Sequence, residues 1–337
     1  MSKISFKLKP KVKINPTFIE VCAGCGGMST GLMEAGFKPL LLNDNDATCC
    51  KTLEANHPGV NIVCESMNKL CLSAYAPDLL VGGMPCQSFS QAGKREGLKD
   101  DRGQLILEFK RLIDECNPKA FLIENVKGLV THEKGATLKH IIAYLQTGNK
   151  YTIQYRVLNA VDYSVPQKRE RLIIVGIRTD ITKKYDYPAI HPQKLLLSDV
   201  LTNVPPSDGY TYQQAKKNVL DLVPPVGCLV DLPKDIQISY MGASYNSGGG
   251  KRGIARRMAM TEACLTLTTS PMQKQTERCH PTETRPFTIR ECARIQTFSD
   301  TFIFCGSIAK QYKQIGNAVP VQLAKAIGQS IITCLFY

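Results

Sequence analysis

The 337-residue sequence contains no tryptophan, and aromatic residues make up only 7% of it. It is also poor in acidic residues: 29 Asp and Glu stand against 42 Lys and Arg, which gives a formal net charge of +13. Hydrophobic residues make up 43%, which is enough for a folded core and excludes a disordered chain. The basic surplus favours a polyanionic partner such as nucleic acid, because each neutralised phosphate releases counterions. A generally basic protein without such a partner is the alternative.

Long apolar segments are lacking as well. No run approaches the roughly 18 apolar residues of a membrane span, and Met1–Lys13 alternates Lys with apolar residues without the apolar core of a secretory signal. We therefore expect no membrane attachment, and an intracellular protein whose 14 cysteines are reduced. Cys22 and Cys25 form a C-x-x-C motif, but no second pair stands at zinc-finger spacing, so we predict no metal site.

Strand and helix patterns alternate over the first half of the chain. This alternation predicts a doubly wound, mostly parallel sheet that is covered on both faces and binds ligands at the carboxyl ends of its strands. The pattern breaks after Thr179, where residues 180–285 are irregular, and helices return from Thr288. The predicted strands are Phe18–Cys22, Leu40–Asn43, Leu79–Val81, Ala120–Ile123 and Leu172–Ile177, and the predicted helices are Met28–Ala35, Ala47–Asn56, Leu105–Cys116, Leu138–Leu145 and Val321–Cys334.

A glycine turn, Ala23–Gly27, follows the first predicted strand. Such a turn lets the backbone approach a ligand closely. Asp44 ends the second strand, where a carboxylate accepts hydrogen bonds from ribose hydroxyls. The glycines fit the G-x-G-x-x-G dehydrogenase fingerprint poorly, which disfavours that class. A packing turn beside a solvated aspartate is the alternative.

Three further motifs lie at strand ends of the predicted sheet: two directly follow a strand, and the third directly precedes the strand Leu172–Ile177. Cys86, held by Pro85 after the third strand, stands where ligands bind, whereas structural cysteines lie more often within strands or helices. Glu124 follows the next strand, and we expect its carboxyl group to face Cys86. Arg169 and Arg171 share one side of an extended chain, which suits phosphate or carbonyl oxygens. The polar segment Gly93–Gly103 predicts a mobile lid. For Glu124 and for the arginine pair the alternative is a surface charge near a strand end, and for each of them taken singly that alternative is favoured.

Together these motifs resemble those of the DNA cytosine-5 methyltransferase family, which includes bacterial and viral modification enzymes. Three positions depart from the family pattern: Cys22 and Asn45 stand where aromatic residues are usual, and Glu65 stands where Asp is usual. The matching segments, in order, are Pro85-Cys86-Gln87, Glu124-Asn125-Val126, Leu158–Tyr163, Gln167-x-Arg169-x-Arg171 and Gly316-Asn317-Ala318-Val319-Pro320.

The resemblance implies a class I S-adenosylmethionine-dependent methyltransferase fold, with a catalytic domain of residues 1–179 plus 286–337 and an inserted target-recognition domain of residues 180–285. It implies methyl transfer from S-adenosylmethionine to C5 of a cytosine flipped out of a short specific sequence in duplex DNA, through a covalent bond between Cys86 and C6. Glu124 would protonate N3, Arg171 would hold O2, and Arg169 would hold the backbone or the loop.

The resemblance also assigns roles to a larger set of residues. The catalytic set is Pro85, Cys86, Gln87, Glu124, Arg169 and Arg171. The cofactor set is Phe18, Ala23, Gly24, Gly26, Gly27, Asp44, Asn45, Glu65, Ser66, Asn317 and Ala318. The DNA-contacting set is Ser90, Arg95, Arg252, Arg256, Arg257, Thr266 and Arg278, in which arginines beside Gly248–Gly250 would read guanine edges.

Partners and alternatives follow from the same resemblance. We expect a monomer that acts on double-stranded DNA in a bacterial cytoplasm, or in the nucleus or cytoplasm of a host cell if the chain is viral. A companion restriction endonuclease for the same site is an open expectation. Two alternatives remain: a same-fold tRNA cytosine-5 methyltransferase, whose usual Cys-Phe-Thr signature is not evident here, and a catalytically inactive DNA-binding relative, although Cys86, Glu124 and Arg171 are all present.

Overall fold

A seven-stranded sheet positions the rest of the chain. The computed structural model describes residues 15–84, 101–247 and 250–337, without the side chains of residues 101–103. The strands of the sheet are β1 (Thr17–Val21), β2 (Lys38–Asp44), β3 (Ile62–Cys64), β4 (Leu79–Gly83), β5 (Ala120–Val126), β6 (Tyr151–Asn159) and β8 (Glu170–Arg178), and the two-residue strand β7 (Gln167–Lys168) precedes the last. They lie in the order β3-β2-β1-β4-β5-β8-β6.

The direction of the strands gathers several chain segments at one edge. β1 to β5 pair in parallel, so their carboxyl ends share that edge. β8 pairs antiparallel with both β5 and β6, and its amino end therefore reaches the same edge. Strands β1, β4 and β5 are almost entirely buried, as expected for a parallel sheet covered on both faces.

Helices cover both faces of the sheet. On one face pack α1 (Gly27–Ala35), α2 (Ala47–Asn56) and α10 (Val321–Phe336), and on the other pack α3 (Asp101–Cys116) and α4 (Ala136–Leu145). The prediction of a doubly wound, mostly parallel sheet is confirmed. The remaining α-helices of the described residues are α5 (Leu197–Val200), α6 (Gln214–Asp221), α7 (Lys234–Met241), α8 (Ile289–Ile295) and α9 (Ile308–Asn317).

Two strands of the seven-stranded sheet, and the two-residue strands outside it, escaped the sequence-based prediction. β3 has only three residues, and β6 is an edge strand with exposed side chains at Thr152, Tyr155 and Arg156. Neither forms the apolar run by which a buried strand is recognised. The predicted helices and strands otherwise occur within a few residues of their expected ends, and α2 spans the predicted residues.

Residues 180–285 hold short elements and a small core of their own. Leu220, Leu229 and Ile254 belong to this separate core. Tyr185, in contrast, packs with the sheet, and Tyr187 donates a hydrogen bond to the carbonyl of Ile173 in β8. The described strands of this region are β9 (Arg256–Arg257), β10 (Cys264–Leu265) and β11 (Arg278–Cys279); β10 pairs with β7, and β11 pairs with β9. The domain boundaries at residues 180 and 285 stay predictions.

The C-terminal segment has the length and apolarity of a membrane span, which we did not expect from the sequence. Ile308–Phe336 contains an 18-residue window with a mean hydropathy of 1.3, and half of that window is buried within the protein. α9 ends at Asn317 and α10 begins at Val321, so the segment is two helices joined at Pro320. The packing of α10 against α1 and the sheet is that of a core helix.

The crossing of α1 and α10 leads to a prediction about stability. A Cβ atom on Gly31 would lie 2.5 Å from Ala324 Cβ and 2.7 Å from the Lys325 nitrogen. Gly31→Ala should therefore lower the free energy of unfolding by about 1–3 kcal/mol, measured by urea denaturation. The matched control is Gly128→Ala, because a Cβ there meets only Val126 Cγ2, at 3.9 Å. Equal losses for the two variants would show that the helix crossing is not tightly packed.

Candidate active site

A cleft of about 690 Å³ opens at the carboxyl edge of the sheet. Its floor is formed by the ends of β1, β2, β4 and β5, and α9 closes one side. The cleft brings together residues that lie far apart in the sequence, from Glu20 to Val319. The predicted site residues that line it are Ala23, Gly24, Gly27, Asp44, Asn45, Glu124, Arg169, Arg171, Asn317 and Ala318.

One half of the cleft is built on the glycine turn. The Gly24 nitrogen donates to Asp44 Oδ2 at 2.8 Å, and the Asp46 nitrogen donates to Asp44 Oδ1 at 2.8 Å. Each oxygen thus accepts one backbone hydrogen bond and keeps a lone pair for a ligand. Gly24 has a φ of 58° and open space where a side chain would stand. Cys22, with a φ of 54°, is a strained residue at the end of β1. The turn and the carboxylate are therefore held together and remain accessible to a ligand.

A buried carboxyl group lies beneath this turn. Glu20 on β1 is only 2% exposed, and Ser29 on α1 donates its hydroxyl to Glu20 Oε2. Burial raises the pKa of Glu20 to about 8; the nearby carboxylate of Asp44 contributes to this rise, and the hydrogen bond from Ser29 opposes it. Glu20 is consequently protonated over much of the neutral range, which removes one negative charge from the floor of the cleft.

The other half of the cleft holds an ion pair. Glu124 at the end of β5 accepts from Arg171 Nε at 2.9 Å, and both side chains are largely buried. Burial raises the pKa of the Glu124 carboxyl group, whereas Arg171 and Arg169 oppose this shift. The neighbouring Asn125 donates from Nδ2 to the carbonyl of Met84, at 3.3 Å, on the segment that leads into Pro85 and Cys86. Glu124 thus combines a raised pKa with a fixed cationic neighbour, as expected of a proton donor.

Arg169 contacts protein backbone. Its side chain is 1% exposed, Nη1 donates to the Leu267 carbonyl at 3.1 Å, and Nη2 donates to the carbonyls of Gly316 and Ala318 at 2.8 and 3.0 Å. The expectation that Arg169 holds backbone agrees with these contacts. The Nη atoms of Arg169 are hydrogen-bonded to protein carbonyls, so in this structure Arg169 positions the backbone beside the cleft, and its place in the catalytic set stays a prediction.

Three predicted cofactor residues do not line the cleft. Phe18 is completely buried and packs edge-on against Phe37, because it lies at the start of β1 while the cleft opens at its end. Glu65 is exposed and pairs with Lys69 at 2.9 Å. Ser66 directly precedes the short helix Met67–Lys69 that follows β3. These side chains are corrected to structural or surface positions.

Gly26 is not among the lining residues either, since its α-carbon faces Leu53 and His57.

The predicted DNA-contacting residues are placed differently from one another. Arg252 is exposed. Arg256 pairs with Glu262 at 2.9 Å, Arg278 donates to the carbonyls of Gly253 and Glu277, and the Thr266 hydroxyl donates to the Lys168 carbonyl. Among the described arginines of this group, Arg252 is the one that is exposed.

Arg257 is corrected to a structural residue. It is 7% exposed, and its guanidinium group donates to the four carbonyls of Leu220, Val223, His280 and Glu283 and to the Thr284 hydroxyl. A guanidinium group has five N–H donors, so these bonds leave none for a base. Sequence alone did not distinguish Arg257 from Arg252, because burial is decided by long-range packing.

Some predicted residues fall outside the described part of the chain, and some cleft residues were not predicted. Pro85, Cys86, Gln87, Ser90 and Arg95 lie outside the described residues. Unpredicted lining residues include Cys49, Lys310, Lys313 and Gln314. A helical pattern before the Gly316–Pro320 motif was the only available signal for the last three, and it does not tell which face meets the cleft.

Comparison with known proteins identifies the family. The sequence profile of the C-5 cytosine-specific DNA methylase family matches residues 16–333. The chain is 49% identical to the type II methyltransferase M.Eco47II of Escherichia coli over 95% of this chain and 79% of that protein, and 47% identical to the type II methyltransferase M.Sau96I of Staphylococcus aureus over 93% and 75%.

Solved structures share the fold. S. pombe Dnmt2 methyltransferase has a TM-score of 0.70 at 16% identity, covering 96% of this chain and 100% of that one. A prophage-encoded E. coli protein has a TM-score of 0.72 at 24% identity, with the same coverage. The cleft, the ordered motifs and these similarities lead to one conclusion: the chain belongs to the C-5 cytosine-specific DNA methylase family and is a DNA cytosine-5 methyltransferase of the restriction–modification type.

Proposed function

We propose that the chain transfers a methyl group from S-adenosylmethionine to C5 of a cytosine flipped out of duplex DNA, within one short sequence, through a bond between Cys86 Sγ and C6. The observation that carries this proposal is the Glu124–Arg171 pair, which lies in the same cleft as the glycine turn and Asp44. The residues proposed to bind the base therefore lie in the same cleft as those proposed to bind the methyl donor.

The glycine-turn half of the cleft fits the methyl donor. Asp44 keeps lone pairs for two ribose hydroxyls, and the open space at Gly24 allows close approach to its backbone. Asn317 and Ala318 also line the cleft. Bound S-adenosylmethionine would supply an electrophilic methyl group on a sulfonium. Asn45 and Cys22 line the cleft without offering an aromatic face, so adenine would be held by contacts other than stacking.

The chemistry at the base requires an acid and a nucleophile. C5 of cytosine becomes nucleophilic when a thiolate adds to C6, and we assign this addition to Cys86. The protonated Glu124 would donate its proton to N3 as negative charge develops there, while Arg171 would bind O2. After methyl transfer, a base such as water would take the C5 proton and the Cys86 thiolate would leave C6. The N3 proton would return to Glu124, which restores both the aromatic ring and the acid. The flipped base costs a few kcal/mol of stacking and pairing, which contacts with DNA offset.

We further propose that the chain acts as an intracellular monomer, and that a companion restriction endonuclease cleaves the DNA sequence that it methylates. We also propose that residues 180–285 form the target-recognition domain. Arg252 is exposed in this region, beside the stretch Gly248–Gly250. Nζ of Lys251, which precedes Arg252, lies 3.4 Å from the centroid of the Tyr245 ring. These features support the assignment of sequence reading to Arg252.

The covalent step can be tested with duplex DNA that carries 5-fluorocytosine at the target. Fluorine cannot leave C5 as a proton does, so an adduct resistant to denaturation should accumulate only when the methyl donor is present. Gel electrophoresis under denaturing conditions detects it, and mass spectrometry should place it on the Cys86 peptide. Cys86→Ser should retain DNA binding and form no adduct, because a hydroxyl supplies almost no oxyanion at neutral pH. An adduct on another peptide would refute the assignment.

The acid role of Glu124 predicts a pH dependence. Burial raises the pKa of Glu124, so the protonated acid persists to higher pH than usual and is lost as pH rises through that pKa. The wild-type single-turnover rate should therefore fall on the alkaline side. Glu124→Gln should lower the rate by about 10²–10⁴-fold and remove this alkaline fall. Glu170→Gln is the control, since Glu170 is exposed and pairs only with Lys127 at 2.9 Å among described cations. A persistent alkaline fall in Glu124→Gln would exclude Glu124 as the acid.

The proposed recognition role of residues 180–285 can be tested by comparing substitutions of Arg252 and Arg257. Bisulfite sequencing of plasmid DNA from expressing cells should show methylation at one short sequence for the wild type. Arg252→Ala should relax one position of that sequence, with a loss of about 1–3 kcal/mol of discrimination. Arg257→Ala should leave the preferred sequence unchanged and destabilise the protein by about 3 kcal/mol or more, because buried carbonyls lose their donors. If Arg252→Ala weakens all sites equally, Arg252 contacts phosphate only.

A further inference from the structure

Two buried glutamines form a direct bond between distant parts of the chain. Gln167 on β7 and Gln296 after α8 are each completely buried. Gln167 Nε2 donates to Gln296 Oε1 at 2.9 Å across 129 residues of sequence. A buried amide is stable only when its polar atoms are hydrogen-bonded, so the contacts of this pair constrain every group that they reach.

Gln296 reaches the wall of the cleft. Its Nε2 donates to the Ile315 carbonyl at 2.7 Å and to the Ala318 carbonyl at 3.2 Å. These carbonyls flank Gly316 and Asn317, which line the cleft, and Ala318 packs beside Gly27 of the glycine turn. Both N–H groups of the Gln296 amide therefore donate hydrogen bonds, and the position of residues 315–318 depends on these bonds.

Gln167 reaches the segment proposed to belong to the recognition domain. Its Oε1 accepts from the Leu267 nitrogen at 2.9 Å. β10 pairs with β7 beside it, with Cys264 opposite Gln167 and Leu265 opposite Lys168. The segment from Cys264 to Leu267 is therefore held against the chain that carries Arg169 and Arg171.

Arg169 joins the two ends of this network. It donates to the Leu267 carbonyl at 3.1 Å and to the Gly316 carbonyl at 2.8 Å. Gly316 also packs directly against backbone, since a Cβ there would lie 2.6 Å from the Thr268 carbonyl carbon and 2.8 Å from Thr269 Cα. With no side chain between the two backbones, a shift of one must move the other.

We propose that Gln167 and Gln296 are positioning residues that couple DNA engagement by the insertion to methyl-donor binding at Gly316–Ala318. The inference rests on the proposed function, because it takes S-adenosylmethionine as the occupant of the cleft and residues 180–285 as the DNA-reading part. Coupling between two binding sites is reciprocal: DNA changes donor affinity by the same factor by which the donor changes DNA affinity.

The test compares Gln296→Met with Gln329→Met. Methionine conserves the volume of Gln296 but removes its hydrogen bonds, and Gln329 is exposed on α10. The dissociation constant of S-adenosylhomocysteine is measured by calorimetry without and with a duplex that carries the mapped wild-type site. The ratio of the two constants should differ from 1 in the wild type and in Gln329→Met, and should move at least about threefold toward 1 in Gln296→Met. A purely structural role would change thermal stability without changing this ratio.

Several outcomes would overturn the inference. A wild-type ratio of 1, or a folded Gln296→Met with the wild-type ratio, contradicts the coupling. If Gln296→Met does not fold, the wild type decides: S-adenosylhomocysteine alone should slow hydrogen exchange of the Leu267 amide by about threefold or more, and an unchanged rate overturns the inference. Failure of the proposed function is distinguishable, because DNA from cells expressing the wild type would then carry no methylated site.

Discussion

The antiparallel pairing of β8 with β5 is the constraint on which the active site depends. Arg171 pairs with Val126 in this register, so the amino end of β8 stands beside the carboxyl end of β5. A parallel β8 would have put Arg171 at the far edge of the sheet, on the order of 30 Å away. The reversal of one strand therefore creates the Glu124–Arg171 pair.

Burial then differentiates the carboxyl groups of the cleft. Glu20 has the Ser29 hydroxyl as its hydrogen-bond partner and a pKa of about 8, while Asp44 accepts two backbone hydrogen bonds. Glu124 has a raised pKa in spite of its arginine partner. Desolvation favours the neutral acid, whereas cations and N–H donors favour the carboxylate. The balance of these effects differs from one carboxyl group of the cleft to the next, which is the basis for proposing a ligand-binding role for Asp44 and a proton-donating role for Glu124.

Much of the fold and of the site was predictable from the sequence. The buried strands form short apolar runs, and the glycine turn, Asp44 and Glu124 each follow such a run directly. Ligand-binding residues at strand ends are a local feature of an α/β sheet, so their positions follow from the strand assignment. The edge strand β6 was missed because its side chains are partly exposed, and Phe18 was misassigned because it stands at the wrong end of β1.

The family, the alternation of strands and helices, and the order of the site motifs along the chain could be inferred from the sequence, since they depend on local pattern and on contiguous motifs. Which arginine side chains are free to contact DNA could be seen only in the folded structure. Arg257 donates hydrogen bonds to five acceptors within its own region, and Arg169 donates to three carbonyls. Arg252, in contrast, is exposed. Burial and hydrogen bonding of a long side chain depend on residues tens to hundreds of positions away, and those partners are brought together only by folding.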